Sequence, residues 1–153
     1  MSLFENPQET NLKVCVEMVE AVLTSSGIDP GRARITAEGG PAWGLTRGSA
    51  EVFVFLSTSD GGDNNIQVIA PVMRPAVEQR DRLFSHLLEL NANELTGAAF
   101  GLRAGDVVLT ADRSTIGLDR VEVEEMIRRV GEYADHYDDL LTAEHGGRRH
   151  CDL

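Results

Sequence analysis

The chain has 153 residues, 42% of them hydrophobic and 25% charged, which is the composition of a folded protein rather than a disordered one. That length suits one domain burying about two-thirds of its unfolded surface, so folding requires neither disulfide nor metal. The formal charge of −11 runs through both halves, with nine acids and five bases before Glu78 and sixteen and nine from it onward; it argues against a phosphate-backbone partner and favours basic partners or simple solubility.

Asn6 and Pro7 open the first helix, as cap and first-turn residue. Leu12, Cys15, Val16, Val19, Val22 and Leu23 then recur at three- and four-residue steps, one apolar stripe that ends at Ser25-Ser26-Gly27. Cys15 falls on that stripe and reads as a small buried hydrophobe. Asp29-Pro30-Gly31 is a turn, residues 32–41 are polar, and the first strand is expected at Ala42–Arg47, with the single tryptophan, Trp43.

Glu51–Ser57 is the strongest strand. Val52, Val54 and Leu56 point one way and Phe53 and Phe55 the other, so both faces call for cover. Helices supply one cover; a partner subunit, a ligand peptide or a further helix must supply the other. Ser59–Asn65 is a loose turn rather than a calcium loop, since it lacks the spacing and the closing glutamate of an EF-hand. In the next strand, Ile66, Val68, Ala70 and Val72 alternate, and Pro71 places it at an edge or at a bulge.

A second helix is expected after Pro75, running to Asn91 or Glu94 with Leu83, Phe84, Leu87, Leu88 and Leu95 as its apolar face. Gly97 turns the chain into a hairpin: Ala98, Phe100 and Leu102 line one strand and Val107, Leu109 and Ala111 the other. On its far face Ala99 and Gly101 are small and admit another backbone. Asp119 and Glu122 form a capping box for the closing helix, with Leu118 and Val123 as its staple. That helix runs for about 23 residues, or roughly 34 Å, and carries Glu124, Glu125, Glu132, Asp135, Asp138 and Asp139 on an acidic, solvated face. The predicted order is α-β-β-β-α-β-β-α, an α+β fold in which helices pack on an antiparallel sheet. One domain is expected over 8–142, with 143–153 a disordered tail.

The chemistry-bearing motifs are absent: no Walker loop, nucleophile elbow or zinc-protease helix occurs. The glycine-rich run Gly39–Gly44 leads into a strand, not a helix, so it cannot present a helix N-terminus to phosphate. His86 sits one step from an apolar stripe, His136 lies among acids, and His145, His150 and Cys151 fall in the expected tail, where ligands would not be fixed. No catalytic residue, cofactor or metal site is expected. Two cysteines, Cys15 and Cys151, imply no disulfide framework and suit a reducing compartment. The segment MSLFENPQE has no cationic stretch before an apolar core, and the longest aliphatic and aromatic run, Val52–Leu56, is too short to span a bilayer. A cytoplasmic protein without membrane contact is expected.

Leu87-Leu88-Glu89-Leu90-Asn91, Gly97-Ala98-Ala99-Phe100-Gly101-Leu102, Val107-Val108-Leu109 and Gly117-Leu118-Asp119, with Tyr133 and Tyr137 before Asp138-Asp139, follow one another in an order that resembles the YbjN-like family. That family is similar in fold to class type III secretion chaperones. The resemblance covers roughly Asn11 to Leu141 and is strongest from Leu83 onward. It implies a small, acidic, often dimeric protein that binds partner polypeptides and brings no catalytic residues with it. Together with the two-faced strand, this gives a functional expectation: a non-enzymatic, homodimeric protein-binding module with a chaperone-like or adaptor role. Its partner, which the charge suggests is basic, would meet Trp43, Phe53, Phe55, Ala99 and Gly101. The alternative is direct nucleic-acid binding through Arg32, Arg34, Arg47, Arg103 and Arg113, if they converge on one strip.

Overall fold

The computed structural model describes residues 6–60 and 62–153; most of the segment on which the signal-peptide reading rests lies outside them. Helix α1 spans Pro7–Ser25, with the Asn6 side chain accepting the Gln8 N–H at 3.0 Å. Its Cys15, Val19, Val22 and Leu23 are buried, and burial pushes the Cys15 thiol pKa up. The polar stretch that follows is more ordered than its composition suggests. Asp29 caps a single-turn helix α2, Pro30–Ala33, which leads into strand β1, Arg34–Ile35. A two-residue strand leaves no alternation to read.

Strands β2 (Ala42–Arg47), β3 (Ala50–Thr58) and β4 (Asn64–Arg74) follow as an antiparallel meander. Helix α3 is Arg80–Asn93, and β5 (Ala99–Arg103) and β6 (Asp106–Ser114) form the second hairpin. Helix α4, Arg120–His145, has the expected capping box: the Asp119 carboxylate accepts the Glu122 N–H and the Glu122 carboxylate accepts that of Asp119. Strand β7 is Arg148–Arg149. The sheet order is β1-β2-β3-β4-β6-β5, with β7 beside β4 and every pairing antiparallel. This is an α+β fold of the expected kind, with five short elements added: α2, β1, β7 and the 3-10 turns Val77–Gln79 and His150–Asp152.

Strand β4 is central, not an edge, and Pro71 is accommodated by the other route. The register with β6 shifts between Pro71 and Met73, so the bulge absorbs the missing donor. The core lies between the sheet and one helical layer. Val52, Val54, Leu56, Ile66, Val68, Val107 and Leu109 are all at most 1% exposed and join Val19, Leu23, Leu83, Val123, Val130 and Leu141 from the helices in one cluster. Leu88, expected on the buried face of α3, is 68% exposed. Leu83 and Leu87 suffice for that face because a 14-residue helix over one hairpin presents only a narrow contact stripe.

The tail expected to be disordered is part of the sheet. Gly146 and Gly147 both have positive φ, and they turn the chain so that Arg149 and Arg148 pair with Met73 and Arg74. Arg149 then joins Asp139 at 2.6 Å and Asp152 at 2.8 Å, while His150 Nε2 lies 2.7 Å from the Glu51 carboxylate. These contacts are backbone pairing and single ion pairs, which leave no periodic signature in a sequence.

At the opposite end a buried polar cluster ties α1 to the sheet. The Asn64 amide donates to the Gln8 carbonyl at 2.8 Å and to Asn11 Oδ1 at 2.9 Å, and its own oxygen accepts the Thr58 hydroxyl. The Thr115 hydroxyl donates to Asn11 Oδ1 at 2.7 Å. Asn64 and Thr115 are only 2% and 3% exposed, so each bond lost would strand a group away from water.

Two stability predictions follow from these contacts. Asn64→Ala lowers unfolding free energy by about 1–3 kcal/mol, seen as a lower urea midpoint at unchanged slope. At Gly147, φ is +84° and an added Cβ would collide with the Arg74 carbonyl; Gly147→Ala therefore costs roughly 1–3 kcal/mol and lowers the melting temperature by several degrees.

Candidate functional site

Strand pleating puts every second residue on the side away from α1, α3 and α4, where the short 3-10 turn His150–Asp152 reaches the strand end at Glu51. The register arranges these outer residues in rows. One row runs Gly44–Phe53–Ile69–Thr110–Ala99, the next Pro71–Val108–Gly101, and a third Ala42–Phe55–Gln67–Asp112. Phe53 and Phe55 are partly exposed with ring centroids 6.4 Å apart. Ile69 and Val108 share this phase and lie outside the core cluster on the helical side, but they are only 4% and 6% exposed, so the open apolar surface is chiefly that of Phe53 and Phe55. A Cβ added at Gly101 would meet nothing within 4 Å, so the strip falls away into open space over β5. Gln67, Asp112 and Glu51 rim it; Arg103 reaches Gln67 at 3.4 Å.

The sheet edges are less available than this face. At the β5 edge the Asn91 side chain mimics a neighbouring strand: its Oδ1 accepts the Phe100 N–H at 2.7 Å and its Nδ2 donates to the Phe100 carbonyl at 3.1 Å. The other edge is β1, only two residues long, and past it Gly44–Arg47 of β2, with which β1 does not pair. Short or occupied edges resist addition of another strand.

The turn that starts β3 is pinned to α4. The Ser49 N–H and hydroxyl both approach Asp135 Oδ1 at 2.7 Å, and the hydroxyl also lies 2.6 Å from Asp138 Oδ2. One hydroxyl proton serves two carboxylates in turn. Gly48, at φ +60°, lets Asp135 approach, for any Cβ there would strike its carboxylate. Asp138 is 4% exposed and so leaves the solvated acidic face to which its spacing assigned it, while Asp135 stays exposed there. They hold Phe53 and Phe55 at a fixed height through the hairpin. The N–H of Ser49, then its hydroxyl, keeps the Asp135 carboxyl below its usual range.

Of the expected partner-binding residues, the structure places Phe53, Phe55, Ala99 and Gly101 on this one face. Trp43 is a correction: it pairs with Val54, points to the helices and is 0% exposed. Its ring lies under the Arg34 guanidinium, 4.9 Å away, and its indole N–H has no hydrogen-bond partner. Ile69 and Val108 were missing from the sequence reading, although each is apolar at the position out of phase with its strand's core set.

The five arginines do not form a strip. Arg32 pairs with Asp29, Arg34 with Glu20 at 3.1 Å, and Arg113 with Glu122 at 2.8 Å. The Arg47 side chain lies along α4 at Gly131, and Arg103 is on β5, across the sheet. Three of the five are thus paired with acids, and the set spans both sheet edges.

A family model described as "YbjN: Putative bacterial sensory transduction regulator" matches residues 16–143. No curated protein matches the sequence. Two solved structures share the fold. The ExsC–ExsE complex aligns with TM-score 0.61 at 13% identity, covering 90% of this chain and 97% of that one. The HopA1–SchA chaperone–effector complex aligns with TM-score 0.61 at 12% identity, covering 88% and 99%. At such identities the likeness establishes architecture alone. No described helix is long and apolar enough to cross a membrane.

The Ser49 contacts have a pH signature. A carboxyl with a depressed folded pKa stabilises the fold above its unfolded value, near 3.9, and that contribution is lost as pH falls through the folded value. NMR titration of Asp135 should give a midpoint below that of an ordinary aspartate, and Ser49→Ala should move it upward. An unshifted midpoint in both proteins would remove the pinning role.

Proposed function

Because the chain belongs to the YbjN family, we propose that it is a non-enzymatic protein-binding module with a chaperone-like or adaptor role, acting as a homodimer in the cytoplasm. The face carrying Phe53, Phe55, Ile69, Val108, Ala99 and Gly101 receives the partner polypeptide. The observation that carries this reading is the continuity of that strip across four adjacent strands on the side opposite α1, α3 and α4. The two aromatic rings supply apolar area and the small residues supply room for an incoming backbone. The fold neighbours lend support, since one is a chaperone with its effector and the other a two-protein complex.

Charge selects the class of partner. A formal charge of −11 attracts a basic polypeptide and speeds encounter, with an on-rate that falls as salt is added. The nucleic-acid alternative loses its basis, because the arginines that would carry it are dispersed and largely paired with acids.

The test uses a partner recovered from cell extract, identified and then purified. Phe53→Glu and Phe55→Glu each weaken its binding at least tenfold, about 1.4 kcal/mol, while Leu88→Glu, on an exposed part of α3, leaves it unchanged. Equal affinity in all four proteins would reject the face. Light scattering should return twice the chain mass for the parent and for both phenylalanine variants. A dimer that dissociates on either substitution would instead assign this face to the second copy.

A further inference from the structure

We infer that His86, Glu144 and His145 form a binding site for a divalent transition-metal ion of the zinc class, at the junction of α3 with the last turn of α4. His86 Nδ1 lies 2.8 Å from His145 Nε2, and Glu144 Oε2 lies 3.7 Å from the first and 4.0 Å from the second. Three donor atoms from two helices therefore define a single small triangle.

The dimensions suit tetrahedral coordination. Metal–nitrogen bonds of about 2.0–2.1 Å at tetrahedral angles place neighbouring ligand atoms about 3.3–3.4 Å apart. The imidazoles need to separate by roughly half an ångström, and the carboxylate to move in by about as much. Glu144 is 64% exposed and free to make that adjustment. His145 is held: it is 6% exposed, the Gly146 N–H caps its helix on the Thr142 carbonyl at 2.9 Å, and β7 fixes the chain beyond.

The protons allow it too. In the metal-free pair, one facing nitrogen donates its proton to the other. Moving that proton to the outer nitrogen of the same ring exposes both inner lone pairs, with no net proton released. Asp81 and Glu89 line the same depression, and together with Glu144 they outweigh its one guanidinium, Arg82. Two imidazoles and one carboxylate select zinc, cobalt or nickel over magnesium and calcium, which prefer all-oxygen shells. Three protein ligands leave a fourth position for water or for a donor from another molecule.

The inference is independent of the partner-binding face. Its consequence is mechanical: the ion would clamp α3, whose Asn91 closes the β5 edge, to the end of α4 from which β7 departs. Zinc should be titrated calorimetrically into the chelator-treated full chain carrying Cys151→Ser, which removes the exposed thiol. One ion per chain is expected to bind with micromolar affinity or tighter and to raise the melting temperature, whereas magnesium does neither. His86→Gln should weaken zinc binding by roughly tenfold or more and abolish the thermal shift. Glu144→Gln, at an exposed position on the last turn of α4, should weaken it less. His150→Gln, which alters the imidazole beside Glu51, should change nothing. Zinc affinity unchanged by His86→Gln and Glu144→Gln, or several weak sites in place of one, would overturn the assignment.

Discussion

A sheet shielded by helices on one side only must leave its other pleat phase to solvent or to another molecule. Here that constraint governs most of what the molecule can do. Strand β3 is apolar in both phases, yet α1, α3 and α4 all lie on the side of Val52, Val54 and Leu56. Phe53 and Phe55 are left at the surface with part of the roughly 1.5–3 kcal/mol that complete burial of each ring would contribute still unrealised. That residual driving force is modest for each ring. It becomes selective because the rings are fixed in place and their row continues through Ile69.

Polar side chains, more than apolar ones, fix the positions of the elements that frame this face. Asn64 and Asn11 lock the start of α1 to the β3–β4 turn and to the end of β6. Ser49 hangs the β2–β3 turn from Asp135 and Asp138 on α4. Asn91 stands in for a missing strand beside Phe100. Apolar burial is non-directional and would tolerate small slides of helix over sheet, whereas these short bonds would not. Each is also costly to leave half-made once buried.

Sequence reading recovered the parts of the fold that repeat. The stripe from Leu12 to Leu23, the alternation in Glu51–Ser57 and the Asp119–Glu122 capping box all found their places, because each is a local rule applied several times along a segment. It failed where one contact decides the outcome. The two-residue strand β1 and the β7 tail exist only because a partner strand lies beside them. Trp43 looked like a contact residue because a lone tryptophan in a glycine-rich stretch has no phase until its register with Val54 is known. Asp138 and His145 looked solvent-facing because helical spacing reveals which residues share a side, not what packs there. Ile69 and Val108 were legible in principle: they are the out-of-phase apolar residues of β4 and β6, the same signal that singled out Phe53 and Phe55.

The closed edges and the open face bear on each other. An extended polypeptide can join a sheet by backbone pairing at an edge or by side-chain packing across a face, and the two modes select partners differently. Edge pairing reads mainly backbone and accepts many sequences. Asn91 occupies the backbone groups of Phe100, which curtails that permissive mode at β5, whereas β1 covers only Ala42 and Trp43 and pairs with none of Gly44–Arg47 of β2. In the proposed reading the partner packs instead across the face, chiefly on Phe53 and Phe55, at a surface rimmed by Glu51 and Asp112. A chain built in this way trades breadth for discrimination. In the proposed reading its acidity would act at long range, drawing in basic polypeptides before they meet the apolar strip.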